Sequence, residues 1–306
     1  MKHFTEFFEL ISEKCSFPED AVKVFNEVAK RLDDEKDFGA KFDRIRRDFM
    51  YPVAHNIGRA HDRIVDLAKE YKVNEYTLLF VFLMECSELL LKRYKARGLS
   101  EELYWAGMDD LRCKLLECIE CEGVPGTFVM TWNEGFYALG RFALGRFQYE
   151  GHRRFPCDFT TSSGYKIKKG TKCVNFHIPS SGIPLTDEVR LDSYKKAYAF
   201  YKDHINKDGN IIFICSSWLL YPRHKEFFPE NLNILKFAND FEIFKWEESD
   251  HFGNDWRVFG HYTDFPLEEW PEDTSLRKAY KHWLLEGNPA GHGEGVIVFD
   301  GEKILK

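Results

Sequence analysis

The chain has 306 residues, 44% of them hydrophobic, 30% charged and 16% aromatic, with a formal net charge of −7. That length exceeds one ordinary compact core and fits two domains, and the composition is globular rather than disordered or membrane-embedded. An acidic balance without a broad basic face speaks against general nucleic-acid binding.

From residue 1 to about 120 the apolar spacing is helical. Phe4, Phe7, Phe8 and Ile11 mark a first helix. A second carries Ala21, Val22, Phe25, Val28 and Leu32, with Ser16 as its expected cap and Pro18 in its first turn. A third is expected over Phe38–Met50, ending at Pro52, and a fourth over Ala60–Tyr71. The fifth, Glu75–Ala96, is the most apolar and stops at Gly98; the sixth runs from Glu101 to about Glu120, before Gly123, Pro125 and Gly126. Short connections make this a helical bundle. The apolar run Tyr76–Leu91 is broken by Glu85 and Glu88 and is too short to span a bilayer. Met1–Glu13 carries Glu6, Glu9 and Glu13, which a signal peptide would not. Eight scattered cysteines then imply reduced thiols and a cytoplasmic location. Cys118 and Cys121 form a lone C-x-x-C with no second pair at zinc-ribbon spacing, so no metal is expected.

Beyond Gly126 the texture turns to glycine, aromatics and short β-type runs, and the domain boundary is placed near 125: a helical domain over 1–125 and a mixed α/β domain over 126–306. Strands are expected at Leu139–Glu150, Lys172–Ile178, Ile211–Cys215, Phe241–Trp246, Arg257–Gly260 and Val296–Phe299. Helices are expected at Asp187–Ile205, about Phe227–Ala238 and Ser275–Leu285. The fold class is α+β.

Four segments carry candidate chemistry. Between Arg141 and Lys172 eight cations, among them Arg146, Arg153 and Arg154, face only Glu150 and Asp158, a positive stretch suited to a small polyanion or else an exposed solvated hairpin. Cys173–Glu188 reads as a strand, a turn at Ser180, Ser181 and Gly182, and a helix capped by Thr186; the turn's small residues let backbone amides approach a phosphate, although tight-turn chemistry alone also explains them. The strand Asn210–Cys215 is apolar on both faces, so Cys215, Ser216, Ser217 and Tyr221 gather where it ends, the place α/β sheets give to ligands. In Leu139–Glu150 the alternation changes phase at Gly145, the signature of a β-bulge, which would put Arg146, Gln148 and Glu150 on one face, either beside a cleft or in solvent.

The segments 144–150, 177–186, 215–222, 233–237 and 273–279, reading LGRFQYE, HIPSSGIPLT, CSSWLLYP, NILKF and DTSLRKA, resemble in this order a bacterial family of acyltransferase-domain proteins with a helical N-terminal domain and a GNAT-like C-terminal domain. The resemblance implies that Lys172–Ile178 leads into a CoA pyrophosphate loop at Pro179–Pro184, and that Ile211–Cys215 splays away to admit the pantetheine arm. The usual phosphate signature (Arg or Gln, two residues, Gly, one residue, Gly or Ala) is absent there. By analogy an amine acceptor attacks acetyl-CoA or another acyl-CoA directly, with Glu150 or His177 as base and Tyr221 as acid, while Ser180, Ser181, Gly182, Arg146, Arg153, Arg154, Cys215 and Ser216 bind the cofactor. A non-catalytic GNAT-fold protein that binds a ligand or partner is the alternative, and a hydrolase using Cys215 with His177 is a third reading. Self-association is left open.

Overall fold

The computed structural model describes residues 2–3, 5–51 and 56–306, and the chain divides into two compact units, 1–142 and 143–306.

In the first unit, helices start where a short polar side chain accepts a bond from the exposed first-turn amides. Thr5 caps α1 (Glu6–Lys14), Asn56 caps α4 (Ile57–Tyr71), Asn74 caps α5 (Glu75–Ala96) and Ser100 caps α6 (Glu101–Glu122), which stops at Gly123 in the left-handed conformation. Between them lie α2 (Glu19–Asp34) and α3 (Lys36–Met50). Ser16 is not a cap: it takes a φ of 52°, and α2 begins after Pro18 without a side-chain cap bond. Phe4 and Pro52 lie outside the described residues. Every residue of α5 from Thr77 to Ser87 is buried, which explains its uniform apolarity: it is the axis around which the amphipathic helices pack. The segment after Gly123 folds back onto it. Thr127 donates its amide to the Tyr76 carbonyl, and α7 (Glu134–Tyr137) anchors through the Tyr137 hydroxyl, which donates to the Leu83 carbonyl at 2.7 Å.

A six-stranded sheet organises the second unit. Its strands are β1 (Arg141–Leu144), β2 (Phe147–Arg154), β5 (Lys172–His177), β6 (Ile211–Ser217), β7 (Glu242–Ser249) and β8 (Ala290–Phe299), in the order β1-β2-β5-β6-β8-β7. The unit boundary falls within β1. A separate hairpin, β3 (Phe159–Thr160) with β4 (Lys166–Ile167), was not evident from the sequence. Strands β5 and β6 run parallel and are joined through α8 (Asp187–Phe200), since parallel neighbours need a crossover.

Three sequence expectations change. The phase shift at Gly145 is a two-residue turn, Gly145–Arg146, between β1 and β2, with the glycine at φ 72°; the register irregularity lies instead between Glu150 and Arg153. Arg257–Gly260 is not a strand but the end of α11 (Trp256–Phe259), because Asp255 accepts from the Trp256 amide and starts a helical turn. The helix expected over Phe227–Ala238 divides around Pro229 into α9 (His224–Phe227) and α10 (Asn233–Ala238). The helix at Ser275–Leu285 forms as expected, as α12.

The two faces of the sheet differ. On one, Phe147 and Tyr149 of β2, Phe176 of β5 and Phe213 of β6 meet Tyr194 of α8 and Phe237 of α10, with neighbouring ring centroids 4.8–5.9 Å apart. On the other, the β3–β4 hairpin lies over Cys173, Ile212, Val296 and Val298 at one end. Past that cover, the residues on this face become polar. No helix of the described residues is long and apolar enough to cross a membrane.

Candidate active site

Register decides which side chains meet. Gln148 pairs with His177 and Glu150 with Asn175 across β2–β5, so all four share the face opposite the aromatic one, where Gln148, Glu150 and Asn175 are buried. Asn175 is level with Ile214 of β6, and Ser216, two residues on, lies on the same face. Ser216 in turn pairs with Glu294 of β8, which brings His292 to that face as well.

The matched register between β5 and β6 consists of Val174–Phe213 and Asn175–Ile214. Each strand continues along its other neighbour, β5 along β2 to His177 and β6 along β8 to Ser217. The matched register ends there, so that Phe176 and His177 of β5 and Cys215, Ser216 and Ser217 of β6 form the two lips of a candidate opening beyond Asn175 and Ile214.

Glu150 is 5% exposed, and its Oε2 lies 3.5 Å from Nε2 of His177 and 3.8 Å from Nε2 of the exposed His152. The Asn175 amide nitrogen is 3.1 Å from the same His177 nitrogen. The His177 side chain, 21% exposed, stands between this buried carboxylate and the opening. On the opposite lip, Oγ of exposed Ser216 lies 2.8 Å from Nε2 of His292. Beside it, Lys245 of β7 donates to Glu294 at 2.7 Å.

His292 and Glu294 were missed in the sequence, although a signal was there. In Gly291-His292-Gly293-Glu294-Gly295 every second residue lacks a side chain. A Cβ on Gly291 would enter the Tyr221 ring, one on Gly293 the Leu220 carbonyl, and one on Gly295 would lie 2.9 Å from Phe241. The segment after β6 lies flat on that stripe, which fixes His292 and Glu294 to the opposite, polar face.

Other expected site residues lie elsewhere. Tyr221 packs against Gly291 on the covered side, away from Glu150 and His177, and its hydroxyl donates to Glu248 at 2.7 Å. Burial, and then the Glu248 carboxylate, push its phenol up to about 12. Cys215 is buried on that side too, and burial drives its thiol far above the ordinary value, so no Cys215–His177 pair forms. Arg146 is buried and donates Nε to the Ile183 carbonyl and Nη1 to the Pro179 carbonyl, both at 2.9 Å. It holds the two ends of the 179–183 loop together. Within that loop Ser180 and Gly182 are exposed, Ser181 is half-buried, and Gly182 has a φ of 76°. Arg153 pairs with Cys173 and Arg154 with Lys172, at the opposite end of β5 from the loop; Cys173 to His177 alone spans about 13 Å. The basic stretch is thus not one patch around the loop. Arg141, too, is buried, stacked 4.0 Å over the Trp132 ring and donating to the Trp132 carbonyl.

Among the described residues, no three His, Cys, Asp or Glu side chains group as a metal site; Cys118 and Cys121 lie on α6 with Cys118 buried.

A parallel strand pair that opens at its carboxyl end, followed by a loop and a crossover helix, is the architecture expected of an acyltransferase fold. A family described as N-acyltransferase N-terminal domain matches residues 6–139, and one described as GNAT-like C-terminal domain matches residues 142–297. The second match spans more than half of the chain, and the chain belongs to this GNAT-like family. Among solved structures it is similar to a mutant acyltransferase in complex with octanoyl-CoA, with a TM-score of 0.71 and 18% identity over 96% of this chain and 88% of that one. An acyltransferase in complex with decanoyl-CoA and teicoplanin gives the same score and identity over 95% and 87%. Another, in complex with decanoyl-CoA, gives 0.59 and 20% over 95% and 99%. At such identities the likeness establishes the fold. No curated protein matches the chain.

Proposed function

We propose that the chain is an N-acyltransferase that moves an acyl group from a CoA thioester to an amine. The observation that carries this is the end of the matched β5–β6 register beside a carboxylate–histidine pair. A thioester laid in the opening would meet strand-end backbone amides able to polarise its carbonyl. His177 is the better placed base, because it borders the opening while Glu150 is buried behind it. Glu150, whose Oε2 lies 3.5 Å from Nε2 of His177, then stabilises the imidazolium formed when the amine gives up its proton.

The solved acyltransferases that resemble the chain hold octanoyl-CoA and decanoyl-CoA, which makes medium-chain acyl-CoA the first donor class to try, and teicoplanin in one of them makes a bulky amine-bearing molecule the first acceptor class. The exposed 179–184 loop, held at its ends by Arg146, is the proposed seat of the pyrophosphate. The eight cysteines form no disulfide among the described residues, which fits a reducing compartment such as the cytosol. Calorimetry with octanoyl-CoA, followed by release of free CoA thiol on adding amines, tests the proposal. Saturable binding without thiol release from any amine would favour the non-catalytic ligand-binding reading, which the single glycine of the loop supports.

A further inference from the structure

The base proposed above accounts for one proton. The departing thiolate needs another, and Tyr221 is poorly suited to supply it, with its ring on the covered side of the sheet and its hydroxyl committed to Glu248. On the polar face, the lip opposite His177 carries a second histidine centre. Ser216 is exposed at the end of β6, beyond the last residue matched with β5, and its Oγ lies 2.8 Å from Nε2 of His292. The alternating glycines of β8 leave His292 no other face, because Tyr221 and Leu220 fill the space behind it. The two centres also differ chemically. His177 has a buried carboxylate behind it, whereas His292 is joined to a hydroxyl and lies level with Glu247 of β7, beside the Glu294–Lys245 pair.

We infer that Ser216 is the catalytic proton donor to the leaving thiolate and that His292 positions and recharges it, so that acid and base stand on opposite lips of the opening. This rests on the acyl-transfer reading. As the amine nitrogen bonds to the acyl carbon, its proton passes to His177. The carbon–sulfur bond breaks with its electron pair on sulfur. Sulfur takes the Ser216 hydroxyl proton, Ser216 takes the Nε2 proton of the His292 imidazolium, and solvent restores both histidines.

The test compares the full chain with Ser216→Ala, His292→Ala and His292→Asn, using octanoyl-CoA and the octanoyl thioester of 5-thio-2-nitrobenzoate, each with the amine that gives the fastest thiol release. The nitrobenzoate thiolate leaves without needing a proton. With octanoyl-CoA, Ser216→Ala and His292→Ala should lower kcat by about 10²-fold at unchanged KM, the usual scale for a lost general acid. With the nitrobenzoate thioester both should act at close to the rate of the unaltered chain, which a merely structural role would not produce. His292→Asn, which can still hold Ser216 but cannot recharge it, should match His292→Ala. Equal losses on the two thioesters, or no loss on octanoyl-CoA, would overturn the inference alone. An unaltered chain that releases thiol with no amine would overturn the acyl-transfer reading and the inference with it.

Discussion

The aromatic, covered face and the polar face of the second unit's sheet are built from the same strands, one residue out of step. On the covered face Phe147, Tyr149, Phe176 and Phe213 are buried among Tyr194, Phe237 and Phe241. On the other, Gln148, Glu150, Asn175, His177, Ser216 and His292 alternate with them. The aromatic face holds the strands rigidly in place, and polar groups on the other face inherit that rigidity. Stability and chemistry should therefore separate by the parity of the residue number along each strand.

The sharpest break of that comparison is Phe213→Ala, which leaves a void against Tyr149, Tyr194 and Phe299. It should cost about 3–5 kcal/mol in denaturant unfolding. A loss as small as a surface substitution's would show that the covered face is not the scaffold.

One position over, His177→Ala should leave the unfolding midpoint nearly unchanged while lowering amide formation from octanoyl-CoA by about 10²- to 10⁴-fold. A large stability loss with activity retained would reverse the roles of the two faces.

An intermediate effect comes from His224, a histidine on the aromatic side. Burial among Phe228, Tyr221 and Tyr280 lowers its pKa from the ordinary 6.5 to about 3, although the Leu219 carbonyl works the other way. Because the folded value lies below the unfolded one, the unfolded chain binds the extra proton. Stability is fully present above pH 6.5 and falls as pH drops toward 3, by up to about 1.4 kcal/mol per unit. His224→Phe should flatten that part of the pH–stability curve, and an unchanged slope would assign acid sensitivity to other groups.

Smaller still, Tyr221→Phe removes the bond to Glu248 and should cost about 1 kcal/mol, with octanoyl-CoA turnover preserved. A large fall in turnover would restore Tyr221 to the chemistry. The smallest effect is expected from reversing Arg153 and Arg154 together. Because they sit at the far end of β5 from the loop, CoA and dephospho-CoA should bind as before, and a selective loss for CoA would move the 3′-phosphate to that end.

Local signals in the sequence were enough for the helical unit. Asn74 and Ser100 mark helix starts and Gly123 a stop, and α5 is mostly apolar over Thr77–Ser87 because that stretch is buried on every side. The same signals located β5, β6, α8 and α12, and family membership was legible from ordered segments in the second unit. What sequence alone misplaced depends on contacts between distant residues. A phase change at Gly145 fits a bulge or a turn equally well until β1 is seen beside β2. Arg257–Phe259 has strand-like residues, yet an Asp255 cap and the Arg277 bond to the Val258 carbonyl make it helical. Proximity along the chain made Arg153, Arg154 and Tyr221 look like parts of the site, but strand direction carried the first two away and face parity the third. Composition and periodicity thus determined the elements, because they follow from neighbours within a few residues. Register alone decided that Glu150 meets His177 and Ser216 meets His292, because a one-residue slip between strands would send each to the other face.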